Sequence, residues 1–63
     1  MKINFEQSIK ETLIGKKLIS ADDDPFEGNP VVTDVVIIGD GLNLQCGEKD
    51  SYYVSLNETL EIE

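Results

Sequence analysis

Thirteen carboxylates, five lysines and no histidine or arginine set the terms of the chemistry open to this chain of 63 residues, whose formal charge is −8. The densest group is Asp22-Asp23-Asp24-Pro25-Phe26-Glu27, followed by Gly28-Asn29-Pro30. Clustered carboxylate and carbonyl oxygens are what hard cations take, so Asp22, Asp24 and either Glu27 or Asn29 form a calcium candidate. The spacing argues against it. Pro25 interrupts the ligand run, and the twelfth position from Asp22 is Thr33, where an EF-hand loop requires a bidentate Glu. The expectation is no metal and no cofactor, with Asp22, Asp23, Asp24 and Glu27 as partner-docking residues or as a solvated loop.

Paired carboxylates act as general acid and base only where their surroundings push the two pKa values apart. Among thirteen acids such pairs are too common to single one out, and the usual supporting His, Arg and Trp are absent. Nucleophilic use of Cys46 requires a neighbouring base or a helix N-terminus. Cys46 falls instead in an apolar row facing Val35, where a small buried thiol is ordinary. Gly39-Asp40-Gly41 is not a phosphate loop, because neither a helix nor a Lys-Ser/Thr follows it. A chain of this size also has little room for a pocket of ~300 Å3 or more. The protein is expected not to be an enzyme.

Binding is the better expectation, and charge sets its direction. An acidic surface repels nucleic acid and anionic membranes, and it steers towards basic partners. Solubility alone is the competing explanation of the acidity. Tyr52 and Tyr53 place one ring on each face of a strand, one in the core and the other exposed, where aromatic residues anchor interfaces; Tyr53 is taken as that anchor.

The elements that position these residues centre on Val31–Cys46, two β-branched-rich arms around Gly39-Asp40-Gly41. Asp-Gly between such arms predicts a hairpin with Asp40-Gly41 at the turn. Ile37 then faces Leu44, Val35 faces Cys46, and Asn43 and Gln45 share the other face, opposite Ile38 and Val36. Upstream, Phe5, Ile9 and Leu13 recur at helical spacing, predicting a helix over Ile3–Ile14 with Asn4 as N-cap, Gln7 in capping-box position and Gly15 closing it. A competing reading makes Ile3 and Phe5 a short strand and starts the helix at Ser8. Lys16–Ala21 reads as an edge strand guarded by two lysines, and Asp22–Pro30 as a loop. Ser51–Leu56 and Leu60–Ile62 read as a final hairpin through a three-residue Asn57–Thr59 loop, pairing Leu56 with Leu60 and Val54 with Ile62.

The predicted fold is a single α+β domain over residues 1–63: a short N-terminal helix followed by a four- to five-stranded antiparallel meander, flat under the helix or curled into a partly open SH3-like barrel. Val32, Val36 and Ile38 sit on the face away from Val35 and Ile37. They are either covered by curling of the sheet, the favoured reading, or form a subunit interface. The lone Cys46 excludes an internal disulfide and suits a reducing, cytoplasmic setting. No signal peptide or lipidation motif is recognisable, and the longest apolar run, Val35–Ile38, is far short of the ~18 residues that span a membrane.

The order of helix and strands resembles the Sm-like and SH3-like barrels. The basic and aromatic residues by which Sm-like proteins hold RNA have no match in Gly39–Gly47. In size, in its charge of −8 and in the Asp22-Asp23-Asp24 cluster with Glu27, the chain resembles small acidic inhibitors encoded by phages and mobile elements, such as anti-CRISPR proteins and DNA mimics. That likeness assigns no residue a role. It implies an inhibitor docking on a basic surface of a nucleic-acid-handling protein, with no direct nucleic acid or membrane contact. The alternative expectation is an interaction module that dimerises or joins a larger complex through its β surface.

Overall fold

The computed structural model describes all 63 residues. Helix α1 (Phe5–Leu13) precedes six strands: β1 (Leu18–Ala21), β2 (Asp24–Pro25), β3 (Asp34–Ile38), β4 (Gly41–Cys46), β5 (Asp50–Ser55) and β6 (Leu60–Ile62). They form two antiparallel three-stranded sheets, β2-β1-β6 and β3-β4-β5. The α+β class is as expected. The single meander of four to five strands and the SH3-like barrel are not: there are six strands in two sheets, and no barrel closes.

The helix starts where its cap chemistry places it. Asn4 has extended dihedrals and its side chain accepts the Gln7 N–H at 3.0 Å, satisfying one of the donors a helix start leaves open. The competing strand at Ile3 and Phe5 does not form. At the other end Gly15, at φ +88°, donates its N–H to the Val32 carbonyl at 2.8 Å. Leu13 is buried and Ile9 packs beside it, whereas Phe5 stays exposed.

The central hairpin forms, but its turn is Gly39-Asp40 and not Asp40-Gly41. Ile38 pairs with Gly41, Ile37 with Leu42, Val36 with Asn43 and Val35 with Leu44. Gly39 takes φ +58°, the positive value wanted at the first central position of a II′ turn. Gly41 is a glycine for another reason. A Cβ there would stand 2.6 Å from the Val54 carbonyl oxygen and closer still to the Tyr53 ring, which crosses it. Relative to the expected register the partners move by two residues, so every side chain keeps its expected face.

Two strands are placed differently. β1 is the centre of its sheet and not an edge: β2 flanks it on one side, extended by a Lys17–Val31 bridge, and β6 lies on the other. β6 leaves β5 altogether and pairs with β1, Leu18 opposite Ile62 and Ala21 opposite Leu60. The cause is a tie between distant segments. Asp22 donates its N–H to the Thr59 carbonyl and accepts the Thr59 N–H on its carboxylate, both at 2.8 Å, which carries the chain after β5 across to β1.

The core draws on the helix and both sheets, with Leu18, Leu44, Val32 and Val35 its largest fully buried side chains. Each such side chain contributes roughly 1.5–3 kcal/mol by leaving water. No helix is long and apolar enough to cross a membrane.

Candidate functional site

The β1–β2 turn is built from acids. Asp22 and Asp23 have φ of +48° and +65°, the pair of positive values a type I′ hairpin turn requires. Aspartate tolerates this region better than most residues. The turn sends Asp24-Pro25 back along β1, and the Phe26 N–H closes the hairpin on the Ile19 carbonyl at 2.9 Å. The Phe26 ring then meets Tyr52 of β5 edge to face, with centroids 5.3 Å apart and planes at 83°. This aromatic contact joins the β2 end of one sheet to the β5 edge of the other.

Beside that contact lies an open groove of about 580 Å3, bounded by Asp24–Glu27 on one wall, Ser51–Val54 on the other and Glu58. Asp24, Glu27 and Glu58 give its rim three carboxylates, and Phe26 and Tyr52 make its interior aromatic. Tyr53 lines the β5 wall, with its ring turned over Gly41 and its hydroxyl donating to the Asp40 carboxylate at 3.2 Å. Desolvation, then the Asp40 hydrogen bond and the charges of Asp40 and Glu58, hold the Tyr53 phenol above its ordinary pKa of 10.0. It remains a neutral donor.

The folding also concentrates charge. Only two of the thirteen acids, Glu6 and Glu11, precede residue 18, whereas four of the five lysines do. The chain from Leu18 onward, its strands and the turns between them, carries the remaining eleven acids against Lys49 alone, so the groove lies in the strongly negative part of the chain.

Of the residues singled out by sequence, Asp24, Glu27 and Tyr53 come together in this groove. Asp22 and Asp23 do not. They border a separate recess with Ser20, Thr59 and Glu61, and Asp22 is held by Thr59 as a structural tie. Glu58, Phe26 and Tyr52 were missed as site residues. Phe26 lay within the acidic stretch and signalled itself as an aromatic among acids, but Glu58 reaches the groove only through the course of the chain after β5.

The apolar trio separates too. Val32 is 1% exposed and belongs to the core. The segment before β3 pairs with Lys16, whose carbonyl accepts the Val32 N–H at 3.0 Å, and this turns Val32 inward. Val36 and Ile38 are 48% and 50% exposed; the sheet does not curl over them.

Cys46 is buried and pairs across with Asp50; its expected partner Val35 faces Leu44. Burial first, and the Asp50 charge second, push its thiol above the ordinary pKa, away from the thiolate that nucleophilic or metal-binding chemistry needs. No group of three or more His, Cys, Asp or Glu side chains is arranged to hold a metal ion. What the groove offers chemically is recognition: carboxylates for ammonium or guanidinium groups, and aromatic faces for the same cations. Compared with known proteins, the chain matches no protein-family model, no curated protein and no solved structure, so its likeness to small acidic inhibitors is one of size and charge.

Proposed function

We propose that this protein is a non-enzymatic binding protein that docks its acidic groove on a basic surface of a nucleic-acid-handling protein and inhibits it. The observation that carries the reading is the convergence of Asp24, Glu27 and Glu58, drawn from two distant parts of the chain, around Phe26 and Tyr52. An unstructured acidic loop kept only for solubility does not require aromatic side chains at its centre. Rim carboxylates accelerate association with a positive surface and lose that effect as salt rises.

The test is competition. The protein is used as bait in nuclease-treated extract of its source cells, beside an Asp24→Ser, Glu27→Ser variant. A nucleic-acid-binding protein retained by the wild type, lost with the variant, and displaced from its nucleic acid by added wild type supports the reading. Partners retained equally by both proteins, or no displacement, refute it.

A second reading has its own observation. Val36 and Ile38 lie side by side on one face of β3, each about half exposed, and contiguous exposed apolar surface is where a subunit contact is looked for. Under that reading the chain dimerises or joins a complex through β3, and Val36→Lys with Ile38→Lys yields a folded monomer from a wild type that sediments as a dimer or larger.

A further inference from the structure

We infer that the groove takes an extended, lysine- or arginine-bearing peptide segment of its partner by adding it as a strand to the free edge of β5. The inference rests on the acidic-groove reading above and names the form of the ligand.

The hydrogen-bond phase of the sheet decides which groups of β5 are free. The Leu56 N–H donates to the Asp40 carbonyl at 3.0 Å. Main-chain groups alternate sides along a strand. The same alternation therefore turns Val54 and Tyr52 towards their β4 partners Leu42 and Leu44, and turns Ser55, Tyr53 and Ser51 away from β4. Glu58 already occupies the outward groups of Ser55: its carboxylate accepts the Ser55 N–H at 3.2 Å and its N–H donates to the Ser55 carbonyl at 3.1 Å. Ser51 and Tyr53 remain, both exposed and both on the groove wall. Their N–H and C=O groups are the four a pairing strand needs over three residues.

The other edges are poorer. β2 is two residues long and Pro25 has no N–H. β6 has three residues. On β3 the Asp34 carboxylate caps the Val35 N–H at 2.8 Å. β5 has six residues and neither a lysine nor a proline, the devices that usually guard a free edge. In strand addition the main chain supplies affinity and alternate side chains supply specificity. The groove beside β5 is lined by Asp24, Glu27 and Glu58, so charge complementarity calls for basic side chains on the added strand.

The probe is an eight-residue, end-blocked peptide alternating Lys and Thr, with two further versions N-methylated on the Lys set or on the Thr set. Affinity is read by fluorescence anisotropy at low ionic strength, and hydrogen exchange of the Ser51 and Tyr53 amides by NMR. Strand addition requires that one methylated version lose about tenfold or more in affinity while the other keeps it. It also requires that the unmodified peptide slow exchange at Ser51 and Tyr53, and that Asp24→Asn with Glu27→Gln weaken it. Equal binding of both methylated versions with unchanged exchange overturns strand addition and leaves acidic docking standing. Absence of peptide binding, where the competition assay succeeds, also overturns strand addition alone; failure of both assays overturns the parent reading. Protection of Ser51 and Tyr53 that grows with protein concentration and no peptide assigns the edge to a second copy of this chain and overturns the proposal.

Discussion

Two glycines that look interchangeable in Gly39-Asp40-Gly41 should respond to the same substitution for opposite reasons. At Gly39 an added Cβ meets nothing within 4 Å, and the only obstacle is φ +58°. Left-handed backbone costs an alanine about 1–2 kcal/mol, and asparagine, which tolerates it, much less. At Gly41 the backbone is not left-handed, but the Cβ would lie 2.6 Å from the Val54 carbonyl oxygen and against the Tyr53 ring. The oxygen belongs to a paired strand and cannot move freely, so overpacking of about 1–3 kcal/mol is expected for alanine, and more for asparagine. A domain of this length holds roughly 3–9 kcal/mol in total. Urea denaturation followed by circular dichroism should rank Gly39→Asn as near neutral, Gly39→Ala as intermediate and Gly41→Asn as most damaging. In a Tyr53→Ala background the cost of Gly41→Ala should shrink without vanishing, because the ring leaves and the Val54 carbonyl stays. The reverse ranking, with Gly41→Asn tolerated and Gly39→Asn not, would show that the turn is Asp40-Gly41 and refute the pairing of Ile38 with Gly41.

Asp22→Ala should cost about 1–2 kcal/mol, chiefly by placing alanine at φ +48° and also by removing the acceptor of the exposed Thr59 N–H, whereas Asp22→Asn should stay within about 0.5 kcal/mol; chemical denaturation of the two separates them, and equal midpoints would remove Asp22 from the structural account. Val36→Lys with Ile38→Lys should leave the thermal midpoint of the monomer nearly unchanged, because both side chains already meet water; unfolding of the pair would mean that the face is covered. Cys46 should resist a thiol reagent at neutral pH until the protein is unfolded. Its folded pKa lies above the ordinary 9.0, so its contribution to stability is complete below that pH and is lost as pH rises towards the folded value, where denaturation midpoints should fall. Asp40→Asn should move the Tyr53 titration, followed by the NMR shift of its ring carbons, down towards 10.0; an unmoved titration would dissolve the Tyr53–Asp40 contact.

The parts of the fold legible in the sequence are those decided within a few residues. Asn4 and Gln7 are three apart and complete their bond inside one helical turn. The faces of β3 and β4 follow from alternation alone. The register did not follow, because Gly39-Asp40 and Asp40-Gly41 are both acceptable turns locally and the choice is made by Tyr53 lying over Gly41, twelve positions away. The partner of β6 is likewise set by the Asp22–Thr59 tie across 37 residues. Alternation at Leu60 and Ile62 announces a strand and says nothing of what it pairs with.

The same long-range ties change what the acidity means. Read as a run, Asp22-Asp23-Asp24 is one patch of equivalent charges. In the fold Asp22 holds Thr59, Asp40 receives the Tyr53 hydroxyl, Asp34 caps Val35 and Glu61 accepts the Ser20 hydroxyl. Those carboxylates are committed to the chain itself, and removing them tests folding before it tests binding. Asp24 and Glu27 stand at the groove with no such duty, and Glu58 joins them by way of the turn it closes at Ser55. A charge count therefore overstates the binding surface, and neutralising Asp22, Asp23 and Asp24 together would mix loss of a structural tie with loss of a contact. Asp24 and Glu27 changed together isolate the contact, because the hydrogen bonds that shape the groove do not pass through their side chains.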